Sequence, residues 1–87
     1  MPRYFFDIHN HERYVDEEGT ELANANDARQ QAVIFAGDYL REHPTLVCGG
    51  SRFRVTVRDE RGTILLDVMV TARDPIAAAE PSPRRTP

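Results

Sequence analysis

The sequence has no lysine, one cysteine and no long hydrophobic run. Its single cysteine, Cys48, excludes an intramolecular disulfide framework and any zinc site built from several cysteines. Gly49-Gly50 cannot form a P-loop, because that loop needs a lysine and a strand-to-helix context. No apolar stretch approaches the roughly 18–20 residues that cross a bilayer. Asp7 interrupts the apolar N-terminus where a secretory signal would continue, so we expect a cytoplasmic protein without a membrane span.

The composition is that of one small globular domain. The chain has 87 residues, of which 40% are hydrophobic and 29% charged. Four of the six prolines fall in the last 15 residues, so we predict a single domain over residues 1–72 and a disordered tail over 73–87. The net charge is −3, which argues against a general nucleic-acid binder.

Alternation of polar and apolar residues predicts two hairpins. Residues 3–9 form the first strand, a two-residue turn follows at Asn10-His11, and residues 13–15 return. Residues 52–58 and 64–71 form the second hairpin around a type I turn with a glycine bulge at 59–62. The residues expected on the core face are Tyr4, Phe6, Ile8, Phe53, Val55, Val57, Ile64, Leu66, Val68 and Val70.

A helix is predicted between the two hairpins, from Asn24 to about His43. Asn24 is a favoured N-cap, and Pro44 ends the helix because the residue before a proline is pushed out of the helical region. At 100° per residue a narrow stripe faces the sheet, and Ile34 lies outside it. The stripe consists of Ala28, Ala32, Phe35 and Tyr39.

The order ββαββ predicts an α+β fold, in which one helix packs on one face of a four-stranded, mainly antiparallel sheet. A folded part of this size buries only about 60% of its unfolded surface and is marginally stable alone. We therefore expect a homodimer that forms through the open sheet face or an edge strand. The candidate interface residues are Phe5, Ile34, Leu65 and Met69.

The N-terminal string Met1-Pro2-Arg3-Tyr4-Phe5-Phe6-Asp7-Ile8-His9 resembles the start of a family of short proteobacterial proteins of unknown function. The resemblance covers residues 1–72 and continues through the motifs Asp16-Glu17-Glu18-Gly19 and Val55-Thr56-Val57-Arg58-Asp59-Glu60. It implies a stand-alone ββαββ domain without an assigned activity. The family usually has an aspartate-glycine type turn where this chain has Asn10-His11.

Two candidate sites carry chemistry. His9 and His11, with Asp7 and Glu12 nearby, have the residue types of a divalent metal site. However, His11 falls in the predicted turn and no third strong ligand is evident, so we expect no metal and no cofactor. Cys48 lacks an adjacent base and any catalytic signature, which argues against an enzyme.

The second site is a row of basic residues on one strand. Arg52, Arg54 and Arg58 share the outer strand face, where basic and aromatic residues could hold a nucleic acid. Asp7 and Asp67 belong to the same predicted face and could neutralise these arginines. Our leading hypothesis is therefore a non-enzymatic interaction module that self-associates, and a nucleic-acid-binding regulator is the alternative.

Overall fold

The computed structural model describes residues 1–48 and 50–73. From residue 74 onward, the predicted disordered tail lies outside the described residues. The described part contains the following elements in chain order: β1 (Arg3–His9), β2 (Arg13–Tyr14), β3 (Thr20–Glu21), α1 (Ala25–Glu42), a 3-10 turn (Pro44–Leu46), β4 (Arg52–Arg58) and β5 (Ile64–Thr71). The predicted α+β class is confirmed.

The strands form one antiparallel sheet in the order β2-β1-β4-β5. β3 is a fifth strand that the sequence did not predict, and it pairs with the beginning of β1. β2 and β3 lie on the same side of β1, because β4 occupies the other side. β3 consists of two polar residues, Thr20 and Glu21, which show no alternation, so hydrophobic periodicity could not find it.

The core lies between α1 and the inner face of β4 and β5. Its buried residues are Tyr4, Ala28, Ala32, Ala36, Phe53, Val55 and Val57. The alanines bring the helix close to the sheet, and the larger rings fill the space beside them. The ring of Tyr39 stacks on that of Phe53, with 5.3 Å between the centroids. The predicted helix stripe is therefore confirmed.

Both ends of α1 follow from local chemistry. The side-chain oxygen of Asn24 accepts a hydrogen bond from the backbone N–H of Asp27 at 2.8 Å, so the predicted N-cap is confirmed. At the other end the helix gives way to the 3-10 turn that begins at Pro44.

A β-bulge in β5 corrects the predicted face of two residues. Val57 pairs with Leu66 and Arg58 with Ile64, so Leu65 is an extra residue on β5. Ile64, expected in the core, is 62% exposed. Leu65, expected on the outer face, packs against the core instead. Both residues are apolar, so the sequence pattern contains no sign of the bulge.

The first hairpin loop is longer than predicted. His9 pairs with Arg13, which leaves the three residues 10–12 in the loop instead of the two-residue turn Asn10-His11. The side chain of Asn10 accepts a hydrogen bond from the N–H of Glu12 at 2.9 Å and closes this loop. In the second hairpin, Gly62 donates to the carbonyl of Asp59 and has a φ of 89°. The predicted turn at 59–62 is thus confirmed.

Candidate functional site

The sheet face opposite α1, called the outer face below, carries most of the candidate site residues. Side chains of β1, β4 and β5 project from it at alternate positions. These side chains belong to Phe5, Asp7, His9, Arg52, Arg54, Thr56, Arg58, Asp67 and Met69. The outer face is therefore rich in charge, as the sequence predicted.

Arg58 is held by three partners on this face. Its Nε donates to Asp7 Oδ2 at 2.8 Å, and its Nη2 donates to the backbone carbonyl of Asp16 at 3.0 Å. Its guanidinium also lies 4.7 Å from the centre of the Phe5 ring, within the range of a cation–π contact. The expectation that Asp7 pairs with an arginine of this row is confirmed. Arg58 consequently has little capacity left for a ligand.

Asp16 joins the loop between β2 and β3 to β1. Its carboxylate accepts hydrogen bonds from the backbone N–H groups of Phe6, Glu18 and Gly19, each at 3.1 Å. Its own N–H donates to Asp7 Oδ1 at 2.9 Å. The N–H of Phe6 lies on the edge of β1 between its pairings with β2 and β3, where no strand partner reaches it. The side chain of Asp16 thus takes the place of a strand at that point.

Hydrogen bonding sets the charge state of this cluster. Burial alone would raise the pKa of Asp7, but the hydrogen bonds from Arg58 and from the backbone of Asp16 outweigh it and lower the pKa. The pKa of Asp16 is lowered in the same way, because the backbone N–H groups of Gly19, Phe6 and Glu18 outweigh the effect of burial. The bond to Asp7 raises the pKa of Arg58. Both carboxylates are therefore ionised at neutral pH.

Arg54 is less tightly held than Arg58. Its Nε lies 3.6 Å from Asp67 Oδ1, too far for a hydrogen bond, and that oxygen already accepts from the Thr56 hydroxyl at 2.8 Å. The Nε of Arg54 is shielded from solvent and has no hydrogen-bond partner. Arg52 is exposed, and among the described residues it forms no ion pair. The three arginines of the predicted row therefore differ in how far they are neutralised.

A cavity of about 410 Å³ opens at the end of the outer face near the first hairpin loop. His9, Arg54 and Met69 lie side by side across β1, β4 and β5 at this end. The full lining is His9, Asn10, His11, Ser51, Arg52, Arg54 and Met69. The sequence assigned His9 and His11 to one candidate site and Arg52 and Arg54 to another; the fold brings them together.

The predicted interface residues do not form one surface. Phe5 is half-buried beneath Arg58, and Leu65 packs against the core. Met69 is exposed on the outer face, whereas Ile34 is exposed on α1. Their role as an interface remains a prediction.

Two further observations concern metals and membranes. Within residues 1–48 and 50–73, no three histidine, cysteine, aspartate or glutamate side chains lie close enough together to hold a metal ion. Neither of the helical segments in this part of the chain is long and apolar enough to cross a membrane.

The fold and the outer face define a class of protein, a small α+β domain with one helix on an antiparallel sheet whose other face carries ion pairs. A family model described as "Domain of unknown function (DUF6894)" matches residues 3–71. The chain belongs to this family, so the resemblance to a family of unknown function is confirmed. No curated protein and no solved structure shows significant similarity to the chain.

Proposed function

We propose that this protein is a non-enzymatic interaction module that forms a homodimer through the free edge of β5. Two β5 strands would pair across a twofold axis and extend both sheets into one continuous sheet. The observation that carries the proposal is the difference between the two edges of the sheet.

The edge beside β1 is protected. It is formed by β2 and β3, which have two residues each, and the side chain of Asp16 closes the space between them. Very short edge strands are one way in which proteins prevent unwanted pairing. Within the part of the chain that the structure describes, the opposite edge is β5, a strand of eight residues that has β4 as its neighbour on one side only. Beyond the bulge at Leu65, its backbone from residue 66 to 71 is regular.

Exposed apolar side chains flank this free edge. Ile64 and Met69 are 62% and 49% exposed, and both belong to β5. Arg29 Nε donates to the carbonyl of Leu65, which places that side of α1 beside the same edge. Val33 follows one helical turn later on that side and is also exposed. Pairing of two β5 edges would bring these side chains of the two protomers close together and would bury the backbone groups of both edges.

The outer face offers weaker support for self-association, because Arg58 covers Phe5 and most charges there are paired within the chain. The same pairs weaken the alternative of a nucleic-acid-binding regulator. Arg58 is bound to Asp7, and Arg54 lies beside Asp67. Of the three arginines in the row, Arg52 alone has no ion pair among the described residues.

Light scattering coupled to size-exclusion chromatography tests the proposal. The full chain at tens of micromolar should elute with the mass of a dimer, and Ile64→Lys should shift it to a monomer because a charge would be placed at the paired edge. The matched control is Ile34→Lys, the same change at a residue that is 54% exposed on α1. This control should remain a dimer.

Two results would contradict the edge proposal. A wild-type chain that is strictly monomeric in this concentration range would rule out self-association. A dimer that dissociates in Ile34→Lys but persists in Ile64→Lys would show that the interface lies on α1 and not on β5.

A further inference from the structure

The cavity at the end of the outer face is basic on several sides. Arg52 and Arg54 belong to the same face of β4, two residues apart, and His9 lies opposite Arg54 on β1. His11 approaches from the first hairpin loop. Among the described residues that line the cavity there is no aspartate or glutamate; the carboxylate partner of Arg54 belongs to Asp67, 3.6 Å from its Nε. The cavity therefore concentrates positive charge in a chain whose net charge is −3.

The arginine donors in this cavity are largely unused. The Nε of Arg54 has no hydrogen-bond partner, and its one ion pair, with Asp67, is 3.6 Å long; among the described residues Arg52 forms no ion pair. Each guanidinium has five N–H donors in a planar arrangement that matches the oxygens of an anion. Arg58, on the same strand, differs because Asp7 and Asp16 already occupy its donors. The arginines with N–H donors available to a ligand, Arg52 and Arg54, therefore lie at the same end of β4.

We propose that this cavity binds the phosphate group of a small phosphate monoester. A phosphate monoester carries between one and two negative charges near neutral pH and has three strong acceptor oxygens. Arg52 and Arg54 can neutralise that charge, and each guanidinium can donate two parallel N–H groups to phosphate oxygens. The side chains of Asn10 and Ser51 and the rings of His9 and His11 supply further polar groups around the rim. A carboxylate, with one charge and two oxygens, would use fewer of these donors.

The remaining space is suited to the organic part of such a ligand. A volume of about 410 Å³ is within the usual range of small-molecule pockets and exceeds the needs of a phosphate group alone. Met69 forms an apolar wall beside Arg54, and its side chain is 49% exposed. Thioethers pack favourably against aromatic rings, so a base or another flat ring attached to the phosphate could lie on Met69.

Titration of the ¹⁵N-labelled full chain followed by NMR tests this inference. The probes are inorganic phosphate, a nucleoside 5′-monophosphate, the matching nucleoside without phosphate, acetate and a short single-stranded oligonucleotide, all at low ionic strength. The monophosphate should produce saturable shifts confined to the amides of the residues around the cavity. Inorganic phosphate should shift the same amides with weaker affinity, and the nucleoside and acetate should cause little change.

Three variants locate the site. Arg52→Gln and Arg54→Gln should each weaken monophosphate binding by about tenfold or more, because each removes charge-assisted hydrogen bonds. Arg61→Gln makes the same change in the exposed turn at the opposite end of β4, and should alter the affinity by less than about twofold. Arg52 is exposed, so Arg52→Gln keeps the test valid even if Arg54→Gln lowers stability.

Each contrary result overturns the inference. Absence of saturable shifts with the monophosphate would show that the cavity does not bind it. An equal loss of affinity in Arg61→Gln would reveal general charge attraction instead of a site. Equal binding of acetate would refute phosphate selectivity. Binding of a single-stranded oligonucleotide, without binding of the monophosphate, would instead favour a nucleic-acid surface.

Discussion

Gly19 occupies a position that no other residue can fill without strain. Its φ is +73°, in the left-handed region that side chains rarely adopt. A Cβ added there would lie 2.7 Å from Arg3 Cγ and 2.9 Å from Phe5 Cε2. The backbone of Gly19 is fixed in this place because its N–H donates to Asp16. The positive φ and the close packing around this position therefore both require glycine.

We expect Gly19→Ala to lower the free energy of unfolding by about 1–3 kcal/mol, because the alanine would meet both backbone strain and a steric clash. Urea unfolding followed by circular dichroism measures the change. Gly37→Ala is the matched control, since Gly37 lies on the exposed side of α1 with open space around it. This control should raise stability by up to about 1 kcal/mol. Equal effects of the two substitutions would contradict the structural role of Gly19.

For individual residues, the sequence predicted pairs between charged side chains but did not predict hydrogen bonds from side chains to the backbone. It indicated that Asp7 and Asp67 could neutralise the arginine row, and the structure confirms both pairs. It gave no sign of the part played by Asp16, which lies in a charged turn with two further acids. The bonds of Asp16 go to backbone N–H groups, and a backbone donor has no signature in the sequence. The sequence analysis placed the histidines and the arginines of the cavity in two separate candidate sites, because only the fold brings them together.

Among the elements, α1 depends on its first turn. The Asn24 side chain satisfies one of the N–H groups that have no partner within the helix. We expect Asn24→Ala to cost about 1 kcal/mol of stability, as loss of an N-cap typically does. Thermal unfolding measures this cost, with Asn26→Ala as the control because Asn26 is exposed two residues further on. A loss as large in the control would show that the cap is not the cause.

The long elements were predictable from the sequence; of the two short strands, β2 was predicted and β3 was not. Seven residues of alternation define β1 and β4, and the spacing of the alanines defines the buried side of α1. The two-residue strand β3 pairs with the beginning of β1, and the loop that leads into it contains the hydrogen bond from the Gly19 N–H to Asp16. Neither feature leaves a periodic pattern in the sequence. In β5 the alternation predicts the correct faces from Leu66 onward and fails only at the bulge. Ile64 and Leu65 are both apolar there, so the sequence does not indicate which of the two faces the core.

For the whole molecule, the cluster of Asp7, Asp16 and Arg58 couples stability to pH. Both carboxyl pKa values are lower in the folded protein than in the unfolded chain. Their contribution is therefore fully present above the unfolded value of about 4 and is lost as the pH falls through the folded values. We expect the free energy of unfolding to be constant near neutrality and to decrease below about pH 4.

Asp7→Asn should lower stability at pH 7 by about 1–3 kcal/mol and should flatten this acid dependence, because it leaves Arg58 without its charged partner. Denaturant unfolding at a series of pH values measures both effects. Asp67→Asn is the control, since the Arg54–Asp67 pair is longer and more exposed and should contribute less than about 1 kcal/mol. An unchanged pH profile in Asp7→Asn would contradict the proposed coupling.

The position of α1 over β4 and β5 also has a consequence for the order in which the chain can assemble. β4 and β5 are joined by a short turn, and the helix that covers them precedes them directly in the chain. β1 belongs to the centre of the sheet, yet its partner β4 is far away along the chain; Asp7 and Arg58 are 51 positions apart. Closing a loop of that length costs more conformational entropy than closing the short turn of the β4–β5 hairpin. We therefore expect the docking of the N-terminal strand, where Arg58, Asp7 and Asp16 form their bonds, to be the slowest step of folding.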